Sequence, residues 1–388
     1  MLPSEESDRR IAVLKEALYR AGMDCACIMH NVDRFYYTGT MQDGILVVST
    51  KGDPVLFIRR TLSRAREESP IRDIRGYRSL REIREYVADS VIPHRRIGLD
   101  LDVVPAKFYL GFVSLFPDSS IEDVSSHIRR QRSIKSAYEQ GLLLEAGKRF
   151  DHVLESMKEI LRPGMSEYQA YLGFARLLLE HQSSLHIRTR MFNMEAETRY
   201  ILSGESAAKL SAVDSPTAAG TGITPAFPSG AGMKKIRAGE PILIDSVFVY
   251  EGYQIDCTRI YAIGELDSLF RRAHDCSASC HELFRSSARP GTYIPDLYLQ
   301  VWDLVEKRGF SEVFMGGLRF IGHGVGLELD EFPIITESYD DVIQKDMVIA
   351  FEPKFLFPGG TVGFENTYRV RGEGVESLSA MDEAIQYL

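Results

Sequence analysis

No stretch of this sequence is apolar for long enough to cross a bilayer as a helix. The opening residues, MLPSEESDRR, lack the apolar core of a secretory signal. Basic residues do not outnumber acidic ones. The formal net charge is −9, which gives no electrostatic footprint for a general nucleic-acid role. Cysteine is scarce at five residues in 388, and an odd number in a chain this large points to a reducing compartment, not a disulfide scaffold. These absences lead us to expect a cytoplasmic protein that engages neither nucleic acid nor membrane. The length and the ordinary composition allow two domains.

The first third alternates strand-like and helix-like segments. Residues 6–21 read as a helix with Ile11, Leu14, Leu18 and Tyr19 as its apolar stripe, stopped by Gly22. CACIMH, FYYTGT, GILVVST and PVLFIRR read as strands, with residues 31–33 as a loop carrying His30, Asn31, Asp33 and Arg34 around it. This alternation predicts a small mixed α/β domain over residues 1–130, followed by a second domain over 131–388. The second begins with a long periodic helix near 136–161, and Ser166 is placed to cap the next one. His152, His274 and His281 fall in charged helical stretches and are expected to be exposed. Cys276 and Cys280 share a helix face.

The last third carries the chemistry. ILIDSVFVYEGYQIDCTRIYAIG is followed by FIGHGVGLELDEFP, then VIAFEP, then TVGFENTYRV. Asp245, Asp256, Glu352 and Glu365 interrupt runs that otherwise read as buried strand, and His323 sits between glycines. An ionised carboxylate in an apolar setting must be paired or must hold a metal. Four carboxylates sharing one site repel and drive protonation unless cations intervene. Two divalent ions match four carboxylates in charge. Oxygen-rich ligands with one imidazole suit manganese, iron, cobalt or zinc and argue against a thiolate site. Spacing supports one shared site. Asp245 and Asp256 flank a hairpin with its turn near Tyr250, Glu251 and Gly252, so antiparallel pairing is expected to set them roughly opposite each other. Glu352 and Glu365 flank a second turn at Pro358-Gly359-Gly360.

This order of motifs resembles metallopeptidase family M24, the creatinase, prolidase and aminopeptidase P type, over essentially the whole chain. The resemblance implies a pita-bread catalytic domain, an antiparallel sheet backed by helix pairs, behind a creatinase/prolidase-type N-terminal α/β domain. It implies two divalent ions, with manganese first and cobalt, zinc or iron as alternatives. Asp245, Asp256, His323, Glu352 and Glu365 would be the ligands, with Asp256 and Glu365 bridging. Glu352 would also act as the general base for a metal-bridged hydroxide attacking a small peptide or amide carbonyl. A homodimer is implied as well.

Several positions depart from the family pattern. GITPAFPSGAGMKK, before the first ligand strand, holds no histidine. Asp330 stands seven residues after His323 and Arg319 four before it, where the resemblance leads one to expect histidines that steady the reacting carbonyl. Arg319 can grip a carboxylate with two donors, and Asp330 can meet a substrate ammonium, so both are carried as candidate catalytic residues. Arg259 is a candidate to orient Asp256, and Tyr253 one to line the mouth of the site. The leading expectation is an Xaa-Pro dipeptidase or aminopeptidase-like hydrolase acting on a small peptide. The alternatives are a C–N hydrolase or lyase acting on a small amino-acid-like metabolite, and a non-catalytic peptide-binding relative.

Overall fold

The computed structural model describes residues 1–89, 94–196, 200–211 and 217–388. The chain divides into two compact units, Met1–Arg132 and Ser133–Leu388.

The N-terminal unit is built on a six-stranded sheet. Its central strand, Cys25–Ile28, pairs antiparallel with Gly44–Ser49 on one side and parallel with Arg96–Leu99 on the other. Cys25 and Cys27 pack in the core with Ile45, Val47, Ile97 and Leu99. The segment FYYTGT is a correction: Asn31–Thr38 is a helix, not a loop followed by a strand. Gly39 closes it in the left-handed conformation at φ 68°, its N–H bonded to the Phe35 carbonyl. Buried Arg34 donates to the carbonyls of Met29 and Gly44, which ties the short helix to the sheet. Tyr19 is a second correction, since it is exposed and stands off the stripe formed by Ile11, Leu14 and Leu18.

The second unit opens with two helices, Ala137–Ile160 and Glu167–Glu180. Each begins with a complete capping box, Ser136 with Glu139 and Ser166 with Gln169. They back a four-stranded sheet whose two long members are Pro241–Tyr250 and Tyr253–Ala262. A five-stranded sheet follows, including Gly322–Gly324, Val348–Phe351 and Asn366–Val370. The helices Ser268–Ser287 and Ile294–Lys307 bury their apolar faces in the core shared with this sheet. Sheets flanked by helix pairs are thus the architecture of this unit. The two sheets meet where the backbones of Thr258 and Glu365 exchange hydrogen bonds of 3.2 and 3.3 Å. That junction brings the acidic residues of one hairpin to those of the other.

His274 and His281 are buried, contrary to the expectation of exposure. His281 stacks on Phe364 at 3.9 Å between ring centroids and bonds the Tyr368 hydroxyl and the Phe364 carbonyl. Burial holds its pKa well below the usual value, although the Phe364 carbonyl pulls the other way. It is a core residue that braces the strand after Glu365.

Candidate metal centre

The first hairpin turns tightly at Glu251 and Gly252, both at positive φ, as a two-residue turn between twisted strands requires. Its register pairs Asp245 with Thr258 and Asp256 with Val247. Asp245 and Asp256 are therefore diagonal neighbours on one face, offset by two residues, not opposite each other. The tight turn sets that offset, and because it is an even number both side chains still point the same way. Glu352 and Glu365 fall just past the paired positions Phe351 and Asn366 and before Phe355 and Val362. Both registers place the two glutamates across from each other. Gly363, at φ 115°, lies on the same rung as Lys354. A Cβ there would come within 2.4 Å of the Pro353 carbonyl oxygen, so the two arms of this hairpin approach closely at this point.

His323 is held by its flanking glycines. A Cβ on Gly322 would strike the Ala350 carbonyl, and one on Gly324 the Phe332 carbonyl. The strand carrying the histidine can therefore press between its neighbours. The His323 Nδ1 lies 3.0 Å from the Leu329 carbonyl and 3.1 Å from that of Gly324. Donation from Nδ1 leaves Nε2 as the acceptor nitrogen. Nε2 lies 3.9 Å from Asp256 Oδ2 and 3.8 Å from Glu352 Oε1. Ligand atoms of Asp256, His323 and Glu365 all lie within 4.8 Å of one another. Burial opposes charging His323, but Asp330, Glu352 and Glu365 outweigh it and hold its pKa above the usual value. Burial, reinforced by Glu365 and Asp245, pushes the Asp256 carboxyl well above the ordinary range.

These side chains fit a divalent ion. Asp256 Oδ1 and Glu365 Oε1 are buried without a hydrogen-bond partner, a costly state unless a cation completes them. The donors are carboxylate oxygens and one imidazole nitrogen, a set suited to a borderline or hard divalent metal. The cavity they line, with Ile187, Tyr200, Val247 and Leu329 among its walls, has a free volume of about 20 Å³, room for a single ion or water.

One residue of the site went unread in the sequence. Lys354 is 1% exposed and its ammonium sits among the acids, 2.7 Å from Asp245 Oδ2 and 2.9 Å from both Glu352 Oε2 and Glu365 Oε2. The signal was present, because positions 352 and 354 alternate onto one face of an extended segment. Threonines support the same oxygens, Thr217 donating to Glu352 at 3.2 Å and Thr258 to Glu365 at 2.9 Å.

The remaining candidates scatter. Asp330 flanks the histidine, its Oδ1 3.7 Å from His323 Nδ1. Arg319 is exposed and is not among the described residues lining the cavity. Arg259 is fully buried but does not orient Asp256. It donates to the carbonyls of Thr258, Glu365 and Met381, to Asn366 Oδ1 and to Ser379 Oγ, so it fixes the backbone that carries Glu365. Tyr253 is buried, its hydroxyl donates to Glu139, and it is not among the described residues lining the cavity. Histidine is represented at the centre by His323. In the N-terminal unit, His30 Nδ1 lies 3.3 Å from Asp33 Oδ2.

Comparison with known proteins agrees with the geometry. The sequence model of metallopeptidase family M24 matches residues 141–372, and that of the creatinase/prolidase N-terminal domain matches residues 10–134. The Xaa-Pro dipeptidase of Lactobacillus helveticus is 24% identical over 387 residues, covering 97% of this chain and 98% of that protein. Among solved structures, an Xaa-Pro dipeptidase from Bacillus anthracis superposes with a TM-score of 0.84 at 21% identity, covering 98% of this chain and 100% of that one. An X-Pro aminopeptidase from Thermotoga maritima gives 0.81 at 21% identity, covering 98% and 99%. The acidic cluster on this fold is that of a metal-dependent hydrolase. With Asp256, His323 and Glu365 gathered as a candidate metal site and a family match over more than half its length, the chain belongs to metallopeptidase family M24.

Proposed function

We infer that the protein hydrolyses small peptides of the Xaa-Pro type, as an Xaa-Pro dipeptidase or aminopeptidase-like enzyme. The observation that carries this reading is the buried cluster of Asp256, His323 and Glu365 beside Glu352. The names of full-length relatives give the substrate class. A divalent ion bound there would supply electrophilic polarisation of the scissile carbonyl and acidify a water.

The chain's own residues do the rest. Glu352 directs Oε1 toward the His323 side of the cluster, while Oε2 is fixed by Lys354 and Thr217. Its free edge is thus aimed where a water would be deprotonated, and the proton it takes is available for the departing amine. Ile187, Val247 and Leu329 give the lining an apolar side next to the acidic cluster, the mix of apolar surface and a few polar groups usual at a small-molecule site. Asp330, next to His323, is the candidate for holding the imidazole in its orientation. Manganese is our first candidate on the oxygen-rich ligand set. The five cysteines are all free and buried, which supports a reducing, cytoplasmic setting. A homodimer is carried forward from the family resemblance.

The test is hydrolysis of a panel of Xaa-Pro dipeptides and longer Xaa-Pro peptides by chelated protein restored with Mn²⁺, Co²⁺ or Zn²⁺. We expect activity that returns with metal and falls by about 10²–10⁴-fold in Glu352→Gln. Metal-loaded protein inert on every peptide would exclude this substrate class. Light scattering of the same sample reads the oligomeric state.

A further inference from the structure

The arrangement of the carboxylate oxygens sorts them into two sets. One oxygen each of Asp245, Glu352 and Glu365 faces the Lys354 ammonium. The other oxygen of Glu352 faces His323 Nε2, and the other oxygen of Glu365 is buried without a hydrogen bond. Asp256 adds Oδ2 toward His323 and an unpartnered Oδ1. Glu352 and Glu365 therefore each span two cation positions, one of which an ammonium already fills.

We propose that Lys354 is a built-in cation that takes one of the two positions of the centre, so that the protein binds a single divalent ion, held by Asp256, His323, Glu352 and Glu365. This rests on the metal-dependent reading above and goes beyond it, because it fixes how many ions the site takes and which residues hold them.

Three features of the site support the assignment. Contacts of 2.7–2.9 Å are those of an ammonium donating to carboxylates, and three acceptors satisfy all three of its N–H groups. The lysine is also anchored at its backbone, its carbonyl accepting from the Met315 N–H at 2.9 Å. Its side chain is 1% exposed, and the free volume of the cavity it lines with Asp245, Asp256, His323 and Glu352, about 20 Å³, is that of a single ion. Charge points the same way. Four carboxylates set against one ammonium and one divalent ion leave a single net negative charge. A second divalent ion would have to share the position of the ammonium and its three carboxylate contacts, and the repulsion between the two cations disfavours it.

The consequence for the site is asymmetry. Where a second ion would polarise with an empty orbital, Lys354 offers only hydrogen-bond donors already engaged by three carboxylates. Electrophilic assistance then comes from the His323 side alone, and Asp245 serves as the counter-charge of the lysine in place of a metal ligand.

The experiment is metal counting on the full chain, stripped with a chelator and saturated with Mn²⁺. We expect elemental analysis and calorimetric titration to give one ion per chain in the wild type. Lys354→Gly, which removes the ammonium and opens its position, is expected to raise the count to two. Mn²⁺ electron paramagnetic resonance provides an independent readout, an isolated-ion signal in the wild type and an exchange-coupled one in Lys354→Gly. Two ions per chain or a coupled signal in the wild type would overturn the proposal while leaving the metal-dependent reading intact. So would a folded Lys354→Gly protein that still binds only one. No ion in either protein would overturn both together. If Lys354→Gly does not fold, the wild-type count and spectrum decide alone.

Discussion

Replacing Lys354 with methionine keeps the length of the side chain and removes its charge. In metal-free protein this leaves Asp245, Asp256, Glu352 and Glu365 crowded around His323, with the three contacts of 2.7–2.9 Å gone. Removing one partner of a buried ion pair costs about 3–5 kcal/mol, because the other charge stays buried and uncompensated. Each kcal/mol moves the melting temperature by about 2–4 °C in a unit of this size. Scanning calorimetry in excess EDTA at pH 7 should therefore show Lys354→Met melting about 6–20 °C below wild type. Burial already raises the Asp245 carboxyl, with Lys354 pulling it down, and Asp256 is raised still further. A carboxyl whose folded pKa is raised stabilises the fold below its unfolded pKa and loses that contribution as pH rises through the folded one. Without the ammonium these pKa values climb higher, so the variant's deficit should be large near neutrality and shrink as the solution is acidified. The comparison is made in EDTA because bound Mn²⁺ would stabilise either protein, by about 2.7 kcal/mol at 100 times its Kd. A variant as stable as wild type in EDTA at pH 7 would refute the argument that this ammonium neutralises the cluster.

Two further outcomes follow from buried charges elsewhere. Arg259→Met removes five hydrogen bonds that hold the backbone of the Glu365 strand. We expect a loss of about 3–5 kcal/mol in urea denaturation, together with weaker metal binding by titration. In the N-terminal unit, burial and the neighbouring Asp33 charge raise the Asp100 carboxyl from 3.8 to about 6. Its contribution is thus complete below pH 4 and is lost as pH rises through 6, a change on the order of 2–3 kcal/mol. Hydrogen exchange of the Cys25–Ile28 strand should show a wild-type stability that falls relative to Asp100→Asn between pH 4 and 7. Parallel curves would contradict that assignment.

The positions that interrupt strand-like runs were readable because an acid inside an apolar stretch stands out and a period of two fixes which face it takes. Asp245, Asp256, Glu352 and Glu365 came together on that logic, with His323 supplied by its glycine setting. Lys354 was passed over because lysine is ordinarily a surface residue, although its parity with Glu352 already placed it on the acidic face. The offset between Asp245 and Asp256 depends on where the turn is centred: centred on Glu251-Gly252 it pairs Asp245 with Thr258, whereas one residue earlier would set the two acids directly opposite, and the letters Tyr250-Glu251-Gly252-Tyr253 do not decide this alone. FYYTGT has a strand's composition, yet tertiary packing overrides propensity there. Arg34 and the left-handed Gly39 close a short helix with Tyr36 and Tyr37 both buried, which strand alternation would have sent to opposite faces. His274 and His281 were misjudged because their neighbours are charged, while their own positions share the buried face with Cys276 and Cys280.

The most direct test of the central claim is X-ray absorption on protein reconstituted with Zn²⁺ or Mn²⁺. A divalent ion held by Asp256, His323, Glu352 and Glu365 predicts a first shell of oxygen and nitrogen, at about 2.0–2.2 Å for zinc, with the scattering of a single imidazole that disappears in His323→Ala. A protein that takes up no ion, a shell containing sulfur, or an imidazole signal that survives His323→Ala would contradict it.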